Sequence, residues 1–187
     1  MNLVTQARAL LEGIVSEEDK QSSHWEETLE NTPARFVKGI RELIIRGDDF
    51  EFTTFPAHVD EMIAMTNIRF NALCAHHLFP FIGVAHVAYV PKNLVAGLSK
   101  LVRTVQYYSK GLWMQESLTD RIAERLQTEL SPLGIAVVLK AEHLCYTIRG
   151  AQSPGTMTTT SKMTGCFRNP TETARQEFFE LIKMQDN

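Results

Sequence analysis

Apolar residues at helical spacing open the chain. In LVTQARALLEGIV they fall at Leu3, Val4, Ala7, Leu10, Leu11 and Ile14, which predicts an amphipathic helix. The polar run SEEDKQSSHWEE that follows is expected to be a loop or a helix start. NTPARFVKGIRELIIRG predicts a second helix: Asn31 or Thr32 caps it, Pro33 takes the first position, and Gly47 ends it. Its apolar stripe is Phe36, Val37, Ile40, Leu43 and Ile44. Strand character is expected from about Val59. EMIAMTNIRFNALC carries Ile63, Met65, Ile68, Phe70 and Ala72 in partial alternation, and FIGVAHVAYVP alternates up to Pro91. The two runs are expected to pair antiparallel, with CAHH at their connection.

Two more helices follow. NLVAGLSKLVRTVQYYSKGL puts Leu98, Leu101, Val102 and Val105 on one face, and SLTDRIAERLQTELSPLG ends at Pro132 and Gly134. IAVVLKAEHLCYTIRG is β-rich, with His143 and Cys145 two apart and so on one face of the expected strand. The Thr-rich TMTTTSKMTGCFR is its expected partner. NPTETARQEFFELIKM closes the chain as a helix with Pro170 and Thr171 at its start. Strand pairs separated by grouped helices predict an α+β fold with an antiparallel sheet. The expected division is an N-terminal helical region over residues 1–50 and a catalytic domain over 51–187.

Composition narrows the function. The chain has 187 residues, 44% of them hydrophobic and 22% charged, as in ordinary globular domains. A formal net charge of -3 supplies no global basic field for nucleic acid or an acidic membrane, so neither is an expected partner. Any anion must meet local cations. Three cysteines, Cys74, Cys145 and Cys166, do not form a disulfide framework and fit a reducing compartment. The first residues lack a basic start followed by an apolar core, and no run is long enough to span a bilayer, so a cytoplasmic location is expected.

The chemistry lies in C-x-H-H, from Cys74 to His77, and H-x-C, from His143 to Cys145. Thiolate and imidazole are zinc ligands, and a catalytic zinc keeps one position open for water. Cys74, one histidine of the His76/His77 pair, and Cys145 would make a three-ligand set. The other histidines would lie beside the metal, able to move protons near neutral pH. Taken singly, each cysteine or histidine is an ordinary core or structural residue; the paired pattern is what points to a metal. Cys166 has no His or Cys nearby in sequence and is expected in the core.

CAHHLFPFIG, GLSKLVR, QESLT, AEHLCYTIRG and TTTS, in that order, together resemble GTP cyclohydrolase I, and TPARFVK resembles the family's N-terminal block. The resemblance implies a T-fold subunit: an antiparallel sheet with helices packed on one face, here with an N-terminal helical extension. It implies assembly into a homo-oligomer, a toroidal decamer, with active sites at subunit interfaces. The implied reaction converts GTP and water to 7,8-dihydroneopterin triphosphate and formate. Matched residue by residue, Cys74, His77 and Cys145 are the Zn2+ ligands, and His76 and His143 the catalytic histidines. Gln115 and Glu116 match the guanine-recognising pair. Ser99, Lys100, Arg103 and Arg149 match the triphosphate and ribose pocket, with Arg35 and Lys38 as further phosphate contacts. Glu116 can accept from the guanine N1–H and 2-amino group, donors that adenine lacks there.

Two features depart from the family pattern. Ala75 stands where the family has Glu, removing a carboxylate beside the ligands, and Gly111–Trp113 (GLW) replaces an expected polar segment. They motivate an alternative: a T-fold purine- or pterin-binding protein whose catalysis is impaired by Ala75. A related enzyme acting on a deazaguanine is a third expectation, weakened by the paired histidines and second cysteine.

Overall fold

The computed structural model describes residues 2–169, 171 and 173–184. Two compact units divide the chain, Met1–Ile45 and Arg46–Asn187. In the first, α1 (Leu3–Ile14) is capped by Asn2, whose Oδ1 accepts from Thr5 N at 2.9 Å. A 3-10 turn at Asp19–Gln21 leads to α2 (Trp25–Ile44), which packs against α1. The expected start of α2 at Asn31 or Thr32 is corrected. The helix begins at Trp25, with Glu26 and Glu27 in its first turn where the dipole favours them, and Pro33 lies inside it. Pro33 is the buried residue of α2 and lines a small apolar groove with Ala7, Leu10, Leu11, Ile14, Thr32 and Phe36.

The second unit begins with a short antiparallel pair the hydrophobic pattern does not announce, β1 (Thr54–Pro56) with β4 (Leu94–Ala96). Both strands are too short for alternation to show. The main sheet has the order β5-β2-β3-β6-β7. Its members are β2 (Ile63–Cys74), β3 (Pro80–Val90), β5 (Leu112–Trp113), β6 (Gly134–His143) and β7 (Met157–Met163). Pairings are antiparallel except that of β5, which runs parallel to the end of β2. Helices α3 (Leu98–Ser109) and α4 (Gln115–Leu130) pack on one face. A smaller cluster on the other face joins Ala88, Ala136, Val138 and Met163 to Phe167 and to Phe178 of α6 (Ala174–Lys183). The fold is thus the expected α+β arrangement. Pro170, expected at the start of α6, lies outside the described residues; Thr173 precedes the helix.

A bulge in β2 decides what the helix-covered face receives. Met65 pairs with Val87 but Ile68 pairs with Ala85, so β2 carries one extra residue there, and Asn67 takes φ 56°. Before the bulge, Ile63 and Met65 pack toward the helices; after it, Ile68, Phe70, Ala72 and Cys74 do. Strand side chains alternate strictly, so the same sequence paired without the bulge would turn Cys74 to the opposite face. On β3 and β6 the odd positions Phe81, Ala85, Val87, Tyr89, Ile135, Val137, Leu139 and Ala141 share that face. Gly83 lets the strands close, since a Cβ there would collide with Lys140 O.

The β-rich run from Ile135 to Gly150 does not stay extended. β6 ends at His143, and Leu144–Thr147 form the one-turn helix α5. Cys145 therefore does not share a strand face with His143, contrary to the two-residue period. Thr147 Oγ1 donates to His143 O at 2.9 Å and stabilises the turn.

Candidate metal centre and active site

The site gathers at one end of the sheet, where β2 finishes, β3 starts and β6 finishes. Cys74, the last residue of β2, is buried, and the chain turns at once: Leu78 N donates to Cys74 O and Cys74 N to Phe79 O, both at 2.9 Å. Leu78 takes φ 59° in this turn. His76 and His77 are exposed on it, with ring centroids 6.1 Å apart. Ala75 is also exposed, and its N–H donates to Trp113 O at 3.0 Å. Trp113 pairs with Cys74 in the β2–β5 ladder, so the GLW segment forms the edge beside the cysteine. Arg46 holds that edge: its Nε donates to Lys110 O at 2.9 Å and its guanidinium lies 5.1 Å from the Trp113 ring.

The turn of α5 brings Cys145 to the same place. Sγ of Cys74, a ring nitrogen of His77 and Sγ of Cys145 all lie within 4.8 Å of one another, and Cys74 Sγ is 3.9 Å from His77 Nδ1. Donor atoms of a tetrahedral zinc site sit about 3.3–3.8 Å apart, so a small inward movement closes the set on an ion. Cys145 is half-buried; its thiol is pushed up, first by burial and then by Cys74 beside it, while Arg149 acts in the opposite sense. Two adjacent thiols of this kind surrender their protons when a cation replaces them.

His143 stands next to this cluster. Its ring stacks on Phe81 at 4.5 Å with 3° between the planes, and lies near-parallel to Tyr146 at 5.9 Å and 14°. Burial pushes its imidazole below the ordinary value, and the nearby Glu116 carboxylate opposes this. Its Nε2 lies 2.8 Å from Oε1 of Gln115. Gln115 opens α4 and is 1% exposed, with its amide engaged at both ends. Glu116, next in the helix, is exposed.

The remaining expected residues are arranged differently. Ser99 and Lys100 lie in the first turn of α3 and Arg103 one turn on; Ser99 and Arg103 are exposed, and Lys100 Nζ donates to Glu51 O at 2.7 Å. Arg149 is exposed after α5. Arg35 and Lys38 belong to the N-terminal unit, where each pairs with an acidic residue of α2, Glu27 at 3.4 Å and Glu42 at 3.9 Å. Sequence reasoning passed over Phe81, Tyr146, Thr158 and Thr160. All four lie inside the quoted blocks CAHHLFPFIG, AEHLCYTIRG and TTTS, which is the available signal.

A sheet end that collects two thiols and an imidazole, with a second, stacked histidine beside them, forms a candidate metal centre. The family model for GTP cyclohydrolase I matches residues 5–183, and the chain belongs to that family. Similar proteins include GTP cyclohydrolase 1 of Aquifex aeolicus, 42% identical over 94% of this chain and 92% of that protein. The Sulfurihydrogenibium protein of that name is 44% identical over 97% and 94%, and that of Synechococcus sp. (strain JA-3-3Ab) 43% over 99% and 80%. Among solved structures, the apo archaeosine synthase QueF-Like aligns with TM-score 0.47 and 15% identity, over 56% of this chain and 93% of that one. Among the described residues, no helix is long and apolar enough to cross a membrane.

Proposed function

We propose that this chain is a zinc-dependent GTP cyclohydrolase I, converting GTP and water to 7,8-dihydroneopterin triphosphate and formate. The observation that carries this reading is the convergence of Cys74, His77 and Cys145 within 4.8 Å, in a chain of this family. Two thiolates and one imidazole suit Zn2+ and leave a fourth position open; an ion held there supplies Lewis acidity and a water that ionises near neutral pH.

The other roles belong to the chain's own side chains. His143, held flat against Phe81, and His76, exposed on the same turn as His77, donate and accept protons as the imidazole ring of guanine opens and formate leaves. Glu116 accepts from the guanine N1–H and 2-amino group. With ATP its carboxylate would go unpaired, which disfavours adenine. Ser99, Lys100, Arg103 and Arg149 hold the triphosphate and ribose, with Arg35 and Lys38 as further phosphate contacts; planar arginines suit phosphate oxygens. The working form is a homo-oligomer, a toroidal decamer, with active sites at subunit interfaces.

Formate and oxidised-pterin fluorescence, measured on zinc-loaded protein beside an Ala75→Glu variant, test this. The reading predicts turnover by the wild type, with less than about a tenfold change in the Ala75→Glu variant, at the low end of what contacts outside the ligand set contribute. Tight GTP binding without turnover by the wild type would instead support the second reading, a purine- or pterin-binding protein. That reading rests on Ala75, whose methyl replaces the family's carboxylate.

A further inference from the structure

The Gln115 amide is held in one orientation. Its Nε2 lies 3.1 Å from each of Leu139 O, Thr158 O and Thr160 Oγ1. Two of these are carbonyl oxygens, which only accept, so the NH2 end must face them and Oε1 must face His143. The hydroxyls agree. Thr119 Oγ1 donates its single proton to Gln115 O at 2.8 Å. Thr160, 2.6 Å from Thr119 Oγ1, must then donate to it, which leaves Thr160 Oγ1 to accept from Gln115. The two N–H protons of Gln115 are shared among its three acceptors, and each hydroxyl proton has one direction. At the other end of the amide, Gln115 Oε1 can only accept, so His143 Nε2 must carry the hydrogen. Nδ1 is left as the nitrogen with a free lone pair in the neutral ring.

We infer that Gln115 is a positioning residue for His143: its side chain selects the Nε2–H tautomer and fixes the ring in its plane, and it does not read the guanine. This rests on His143 as a proton-transfer group of the proposed reaction, and it leaves guanine recognition to Glu116. Phe81 and Tyr146 fix the ring's tilt and Gln115 its rotation, so the basic nitrogen meets substrate in one geometry. The TTTS block thereby gains a role, because Thr158 and Thr160 of β7 hold the amide that holds the histidine.

The test uses full-length zinc-loaded protein and the variants Gln115→Met and Gln115→Ala. Ala leaves room for water to satisfy the Leu139 and Thr158 carbonyls should Met prevent folding or zinc loading. Positioning predicts that kcat falls about 10–100-fold, within the contribution of one acid–base group, while the KM for GTP stays within about twofold and zinc content is unchanged. In a His143→Ala background the Gln115 change should cost nothing further. A rise in KM with kcat retained, or additive losses, would overturn the inference. Solid-state NMR of 15N-histidine-labelled protein, with the His143 signal assigned by its loss in His143→Ala, reads the tautomer without substrate. The wild type should show Nε2–H alone and the Gln115 variants a mixture; a wild type carrying the proton on Nδ1, or variants unchanged from it, would refute the proposal. A wild type that shows Nε2–H yet releases no formate would defeat the proposed reaction and leave the tautomer assignment standing.

Discussion

The sheet end that gathers the thiols and the helix that offers the cations are built in opposite ways. Around Cys74, strand register, a bulge, a tight turn and a buried amide fix each side chain within one chain. Around Ser99, Lys100, Arg103 and Arg149, side chains are exposed or, for Lys100, tied to a backbone oxygen. Bond-making needs placement to a fraction of an ångström, which only packed elements supply; a triphosphate needs charge, which flexible cations supply at a distance. The two regions should therefore fail differently when disturbed.

The largest effect should come from the ligands. Cys74→Ser or Cys145→Ser should abolish stoichiometric zinc and lower turnover at least about 100-fold, more than loss of a group that merely orients a ligand; elemental analysis and formate release check both. Deleting Asn67 sharpens the point without touching a ligand. With the extra residue gone, Ile63, Met65, Ile68, Phe70, Ala72 and Cys74 alternate without a break, so Cys74 should keep its face and stoichiometric zinc should be retained. Loss of zinc from a folded deletion variant would break the link between register and site.

Packing comes next. Phe81 is fully buried, stacks on His143 and meets Phe70 edge-on at 6.0 Å. Phe81→Ala should cost about 3–5 kcal/mol in denaturant unfolding and lower kcat as well. Arg103→Ala, by contrast, should leave the unfolding midpoint unchanged, raise the KM for GTP about tenfold, and weaken the salt dependence of binding.

The smallest effect concerns a surface pair. The Arg125 hydrogen bond, 2.6 Å from Asp49, holds the Asp49 carboxyl below its usual range, with the guanidinium charge acting in the same sense and burial opposing. A carboxyl lowered in the folded state stabilises fully above its unfolded value, about 3.9, and loses that contribution as pH falls through the folded value. Thermal midpoints should thus converge between wild type and Asp49→Asn in acid and separate slightly, in favour of wild type, above about pH 5.

How far the sequence foretold this depended on whether a residue's partners were local. Cys74, His77 and Cys145 stood out because thiol and imidazole have few other uses in such spacing. Alternation names the long strands, although across the bulge between Met65 and Ile68 it is only partial. For Cys145 the spacing indicates the right neighbours but the wrong backbone, because a one-turn helix leaves no periodic signal. The pattern misplaces the start of α2 because Pro33 is favoured at a first helical position and its burial leaves no local signal. Gln115 was legible only as half of a polar pair. Its partners, Leu139, His143, Thr158 and Thr160, lie 24–45 residues away, and two of them contribute backbone oxygens that no motif records.

Zinc K-edge X-ray absorption on the reconstituted protein tests the central claim most directly. The account predicts one zinc per chain with two sulfur neighbours at about 2.3 Å and nitrogen or oxygen neighbours at about 2.0 Å, and one sulfur fewer in Cys145→Ser if any zinc is retained. A wild-type spectrum with a single sulfur, or with none, would contradict it.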